Sequence, residues 1–387
     1  MHFTSAQIEK FIDDIPEFPI EDIDLSRINL SEVAADKLAK AVSHVYSADV
    51  STHLSTDQCA QILDTSLSST TLANLDLSYV DLSGVPADLL GTAVSRLKTV
   101  RLNQSSLTTN QCVSVLKTSL SSTTLAHLDL SGNDLSGVPS DLFAMAVSRL
   151  KTVDLVTTEM TTNQCVNVLK ISLSSTTLAH LDLWNNDLSG VPADLLAMAV
   201  SRLKTVDLGY TKLMTNQCVQ LLNSSLTSAT LVDVDLGWNN FRGVPAELLA
   251  TAVGRLKTVK LSYTQLTTNQ CVQLLNTSLA SATLVHLVLK GNNLRGIPAE
   301  LLASAKDYLK ITHSDKDLES FPDSDEEYQS MLEEGEENID KDVEDEECLD
   351  EDVEDEECLE VEEDIAGEDG GVEEGEDMEK EECEADE

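Results

Sequence analysis

Thiols are the first prospect of chemistry in this chain, and five of its eight cysteines keep step with one another. Cys59, Cys112, Cys165, Cys218 and Cys271 stand 53 residues apart, each in nearly the same surroundings. A regular ladder of thiols could hold metal or form cross-links. The spacing argues against both. No C-x-x-C occurs, and no histidine accompanies each cysteine at ligand spacing. With each cysteine on its own helix, equivalent thiols lie two helices apart, about 16–20 Å, whereas bridged Cα atoms must come within about 7 Å. The cysteines read as small buried apolar residues, and unpaired thiols imply a reducing compartment. No metal or cofactor is expected.

A second constellation is acidic. Asp129, Asp154, Asp182, Asp207 and Asp235 occupy one strand position in five consecutive units, preceded by Arg101 and followed by Lys260. Side chains alternate along a strand, so these residues, set between leucines, point outward. Carboxylates about 5 Å apart repel by about 0.8 kcal/mol in water, and such a row favours a cationic partner. It is equally a common wording of the repeat, since exposed carboxylates tolerate one another in salt; both readings stand at this point. Just past the strands, Trp184, Asn185, Tyr210, Trp238 and Tyr263 replace Ser, Gly or Gln at matching places. Both tryptophans of the chain are here, in what read as adjacent equivalent units. Aromatics are favoured binding anchors, so residues 180–263 are expected to form the contact patch. His127, His180 and His286 recur at an outward strand position and read as surface residues. No Gly-rich phosphate loop, His-based metal motif or nucleophile elbow is present, so no enzymatic activity of its own is expected.

The period also defines the elements that position these residues. Pro86, Pro139, Pro192, Pro245 and Pro298 keep the same 53-residue step. A period of this size means stacked copies of one supersecondary unit, none able to bury its apolar face alone. Each block splits into two halves. One carries Leu97, Val100, Leu102 and Leu107; the other carries Leu125, Leu128, Leu130, Asn133 and Leu135, with Ser105 at the Asn position of the first. Both fit L-x-x-L-x-L-x-x-N-x-L, the leucine-rich-repeat pattern of strand then helix. Eleven units start near Ile20, Val45, Leu72, Leu97, Leu125, Leu150, Leu178, Leu203, Leu231, Leu256 and Leu284. Helices are expected from Thr109 through Cys112, Val115, Leu116 and Leu120, and from Pro139, in the first helical turn, through Leu142, Ala146 and Val147. Strands pack about 4.8 Å apart and helices about 8–10 Å apart, so the stack should curve. The expected fold is α/β: a horseshoe solenoid with a parallel sheet on its concave face and helices on its convex face. An N-terminal cap (1–19), the repeats (20–308), a degenerate cap (309–314) and an acidic tail (315–387) complete the division.

The formal charge of −44 is concentrated in that tail. Residues 315–387 hold 40 Asp and Glu against three Lys, including a ten-residue duplication at 341–360. Such like-charge density with few large apolar residues predicts disorder. A polyanion repels nucleic acid and membranes and attracts basic proteins; it also serves simply to keep a protein soluble. Ser324, followed by Asp325, Glu326 and Glu327, has the context of an acidic-directed phosphorylation site. The stretch from Asp315 to Glu319 lacks the glycine of a calcium loop, Ser320 standing there. Met1–Phe18 has no apolar core of signal-peptide length and no run of 18 apolar residues exists, so neither export nor a membrane span is expected.

The blocks from Leu107 to Cys112 and from Leu125 to Leu135 resemble the ribonuclease-inhibitor class of leucine-rich repeats, with Gln111 where that class usually has Gly. Eleven repeats followed by an acidic tail resemble the Ran GTPase-activating proteins. That resemblance implies a small-GTPase partner, an arginine in an early loop and an asparagine in a Leu-x-Asn-Asn loop. Leu183 to Asn186 matches the second, with Asn185 at the asparagine; the early stretch Val50–Leu54 holds no arginine. The tail is similar to that of acidic leucine-rich nuclear phosphoproteins, which implies histones as partners. The expected protein is a monomeric, non-enzymatic scaffold, cytoplasmic or nuclear, that binds a partner protein on the concave face. The alternatives are activation of a Ran-type GTPase and chaperoning of basic proteins.

Overall fold

The computed structural model describes residues 5–18, 20–308 and 310–312, and strand and helix alternate throughout them. Three-residue strands recur once per unit: β1 (Asp22–Asp24), β2 (Ser47–Asp49), β3 (Asn74–Asp76), β4 (Thr99–Arg101), β5 (His127–Asp129) and β6 (Thr152–Asp154). The series continues as β7 (His180–Asp182), β8 (Thr205–Asp207), β9 (Asp233–Asp235), β10 (Thr258–Lys260), β11 (His286–Val288) and β12 (Lys310–Thr312). They form one sheet in chain order, every neighbouring pair parallel. A parallel neighbour requires a crossover, and a helix supplies it in each unit. The array is therefore a leucine-rich-repeat solenoid.

From β2 to β11 the middle residue of each strand points into the core. Ala48, Leu75, Val100, Leu128, Val153, Leu181, Val206, Val234, Val259 and Leu287 are all buried, while their flanking residues face the other side. All five periodic cysteines have no accessible surface, and burial pushes the Cys112, Cys165, Cys218 and Cys271 thiols up to about 12. They are free, as the spacing required. Ile12 and Ile15 of the N-terminal segment close the first unit's apolar end.

One feature differs from the sequence expectation. Pro86, Pro139, Pro192 and Pro245 stand at the residue before the first helical turn, not inside it. Their ψ values of 123–128° are extended, so the helix begins one residue later. Strand β12 pairs with β11 and is the last described strand of the sheet. The acidic tail 315–387, with Ser324 and the remaining cysteines, lies outside the described residues.

What binds one unit to the next is polar. Gln58, Gln111, Gln164, Gln217 and Gln270 are nearly fully buried at the starts of the longer helices. Gln164 Oε1 accepts the Thr161 N–H at 2.7 Å, and Nε2 donates back to Leu135 O at 2.6 Å and Val138 O at 2.8 Å in the preceding unit. The same pair of backward bonds recurs from Gln111 and Gln217. Glycine at this position could make none of them. Asn133, Asn186, Asn239 and Asn292 do the same in alternate units; Asn133 Nδ2 donates to Leu102 O at 2.7 Å and its Oδ1 accepts the Leu107 N–H at 2.9 Å. The serine-rich turns are stapled too: Ser122 Oγ donates to Ser95 O at 2.6 Å and Ser175 Oγ to Ser148 O at 2.7 Å.

Replacing Gln164 with Ala strands a part-buried N–H and two buried carbonyls. The variant should lose about 2–3 kcal/mol in urea unfolding; a loss below the error of the measurement would exclude the stapling role. Cys59, Cys112, Cys165, Cys218 and Cys271 should resist a thiol reagent in the folded protein and react on unfolding, read by peptide mass.

Candidate functional site

Register brings the acidic residues together. Asp129 pairs with Asp154, Asp154 with Asp182, Asp182 with Asp207 and Asp207 with Asp235, so five carboxylates run side by side across β5–β9. Arg101 and Lys260 bound the row, 3.5 Å from Asp76 and 3.6 Å from Asp235 respectively. A second run of aspartates lies on the far side of Arg101. Asp24, Asp49 and Asp76 hold the same position on β1–β3, each between two core residues. That L-D-L pattern was visible in Leu75–Leu77 and blurred in the earlier units by Ile and Ala.

These carboxylates have a local task. Asp182 Oδ1 accepts the Trp184 N–H at 2.8 Å, Asp207 the Gly209 N–H at 2.7 Å, Asp235 the Gly237 N–H at 2.8 Å and Asp129 the Ser131 N–H at 2.8 Å. Each bond closes the turn that ends the strand, the usual skill of a short acidic side chain. Asp154 is the exception. The matching N–H, from Val156, goes to Ser131 Oγ of the preceding unit at 3.2 Å.

Nor are the carboxylates freely exposed, as the sequence reading had them. Each keeps a little accessible surface but is crowded by the neighbouring strands. Desolvation, then repulsion from Asp129, pushes Asp154 up to about 7. Asp182 and Asp207 are raised as well, first by burial and then by their carboxylate neighbours. Asp24 does the same job at the open end of the sheet and is lowered instead, by bonds from Ser26 with little burial to oppose them. Crowding decides the difference.

The aromatic residues form a continuous run. Trp184 and Tyr210 have ring centroids 5.9 Å apart, Tyr210 meets Trp238 edge-on at 6.1 Å, and Trp238 stacks on Tyr263 at 4.0 Å. All four rings are half-buried. Trp184 and Trp238 are, however, neither at equivalent positions nor in adjacent units. Trp184 lies two residues past Asp182, whereas Trp238 lies three past Asp235, and the unit carrying Tyr210 separates them. Trp184 joins the run by lying over Gly209, where an added Cβ would meet its ring at 2.4 Å. Tyr263 lies over Gly291 in the same way, at 2.2 Å.

Backbone conformation sets the other three. Tyr210, Trp238 and Tyr263 have φ of 53–58°, the left-handed region, at the place where Gly132 and Gly291 stand in other units. A side chain there costs roughly 1 kcal/mol or more. The fold needs the turn; it does not need an aromatic. Tyr79 occupies the same position after β3 and is 52% exposed, a residue the sequence reading passed over. Asn185 also has positive φ, and its Nδ2 donates to Thr157 Oγ1 at 3.0 Å, while Asn186 is the buried member of the pair. His127 and His180 face outward from the first strand position as expected, lowered by partial burial and by nearby lysines. No group of acidic, histidine and cysteine side chains among the described residues could hold a metal, and no described helix is long and apolar enough to cross a membrane.

A leucine-rich-repeat family model matches residues 124–145. Among solved structures, the leucine-rich-repeat-containing protein LegL7 from Legionella pneumophila is similar, with 18% identity and a TM-score of 0.44 over 76% of this chain and 94% of that chain. No curated protein matches. With its sheet in chain order and its repeat pattern, the chain has the leucine-rich-repeat solenoid fold, and the family model matches within it.

The acidic row leaves a thermodynamic signature. An aspartate of ordinary pKa near 3.9 when unfolded and raised when folded binds more protons in the folded state. Stability therefore falls as pH rises from about 4 through about 7, where Asp154 ionises. The melting temperature should drop between pH 5.5 and 8. The pair Asp182→Asn and Asp207→Asn, which keeps the oxygen that closes each turn, should flatten that slope and gain on the order of 1–2 kcal/mol at pH 8. An unchanged pH profile in the variant would overturn the assignment.

Proposed function

We propose that this chain is a non-enzymatic scaffold that recognises a partner protein on the open face of its sheet, around β7–β10. One observation carries the reading: four half-buried rings, Trp184, Tyr210, Trp238 and Tyr263, make an unbroken run past the ends of four successive strands. Aromatic anchors of this kind supply most of the energy of protein–protein contacts. Three of them sit at a left-handed turn position that other units fill with Gly132, Gln104 or Thr157, so the turn itself does not call for an aromatic. Asp129, Asp154, Asp182, Asn185, Asp207 and Asp235 border the same surface and belong to the proposed contact area. The polyanionic segment 315–387 adds long-range, salt-sensitive attraction for basic proteins. Monomeric residence in the cytoplasm or nucleus is part of the proposal, and the unpaired buried thiols support a reducing compartment. Activation of a Ran-type GTPase rests on resemblance alone, and chaperoning of histones on the tail's charge.

Affinity capture from a lysate of the source cells tests the scaffold reading. The full-length Trp184→Ala and Trp238→Ala double variant should weaken retention of the principal captured protein by roughly 30-fold, about 2 kcal/mol. Equal retention, with native circular dichroism, would reject it. Stimulated GTP hydrolysis by a Ran-like GTPase would put the enzyme-activator reading in its place.

A further inference from the structure

The carboxylate row and the aromatic run are carried by the same strands. Trp184 lies two residues past Asp182, and Tyr210 and Trp238 lie three past Asp207 and Asp235. Among the described residues, the basic side chains paired with this outward row stand at either end of the β5–β9 stretch, Arg101 against Asp76 and Lys260 against Asp235. Between them, no basic side chain among the described residues forms an ion pair with Asp154, Asp182 or Asp207. Crowded like charges repel more strongly as water is excluded, and a visiting cation relieves them. Rings beside them offer their electron-rich faces to that cation, best of all to a guanidinium.

The opposite edge of the sheet has the other sign. Lys98, Lys151, Lys204 and Lys257 are exposed and immediately precede β4, β6, β8 and β10. A visitor's positive groups are therefore directed to the carboxylate side of the strands and away from their beginnings. Nucleic-acid backbones and acidic peptides are repelled from that side.

We propose that the strip between the carboxylates of β6–β9 and the rings of Trp184, Tyr210, Trp238 and Tyr263 binds an Arg- or Lys-rich segment of a protein partner. Its cationic heads sit on the carboxylates and its stems and guanidinium planes lie against the rings. The inference rests on the sheet-face reading above and adds the chemistry of the partner.

Trp184 and Trp238 are the two tryptophans of the chain, and the acidic segment 315–387 holds none, so tryptophan emission reports this strip and not peptide gathered by the tail. The full-length protein is titrated with a twelve-residue alternating Arg-Ser peptide and, separately, with its Glu-Ser counterpart. The Arg peptide should change the emission saturably, and the Glu peptide should not. The Asp182→Asn and Asp207→Asn double variant should bind the Arg peptide at least ten-fold more weakly. Equal affinity in that variant, or an equal response to the Glu peptide, overturns the proposal. If the Asn variant binds unchanged while the Trp→Ala variant loses its captured protein, the sheet-face reading survives and the cationic partner does not. If both variants behave as wild type, both readings fall.

Discussion

A stack of short strands and helices has turns whose carbonyls point into its own interior, and each must find a donor there. That requirement governs this protein. Amide side chains meet it: Gln164 reaches back to Leu135 and Val138, and Asn186 reaches back to Leu155. A buried carbonyl left without a donor costs about 1–3 kcal/mol, so each amide is worth more by what it prevents than by the bond itself. The bonds also fix register. An amide serving two carbonyls of the preceding unit tolerates little sliding between units, and the twelve strands stay aligned residue against residue.

Alignment of the strands makes the outward face a lattice of rows. Any residue type repeated at one strand position becomes a line across the sheet, and here the line is acidic. The aspartates close their own turns, which explains their presence in nearly every unit. Stacking then imposes a cost that no single unit would carry. In the middle of the array burial and repulsion raise Asp154, Asp182 and Asp207, while Asp24 at the end is lowered. A local solution to a turn has become a collective electrostatic feature of the surface.

The aromatic run arises from the same lattice but lacks the structural excuse. Gly132 and Gly291 perform the left-handed turn with no side chain at all, so Tyr210, Trp238 and Tyr263 are additions to it. Once present, they lean in one direction, each ring covering or meeting the next unit's turn. Rings held half-buried by one another lose little further freedom when a partner arrives, which favours a contact site.

Much of this was legible in the chain. The 53-residue period, the L-x-x-L-x-L spacing and the free, buried cysteines follow from residue order, because repeats that bury one face in turn leave a periodic apolar code. The candidate surface was legible as a list of residues: the aspartates and aromatics were visible as alternations on a strand. The list could not say that Trp184 and Tyr210, 26 positions apart in chain order, would stack, nor that Trp184 fills its place from a different turn position than Trp238. Gln111 read as a departure from glycine, and only the packed units showed its amide between two carbonyls of its neighbour. Sequence determined which residues recur, since recurrence is a property of one dimension. Burial, pairing and the raised carboxylates depend on what the adjacent units bring within a few ångströms, and that distance exists only once the units have stacked.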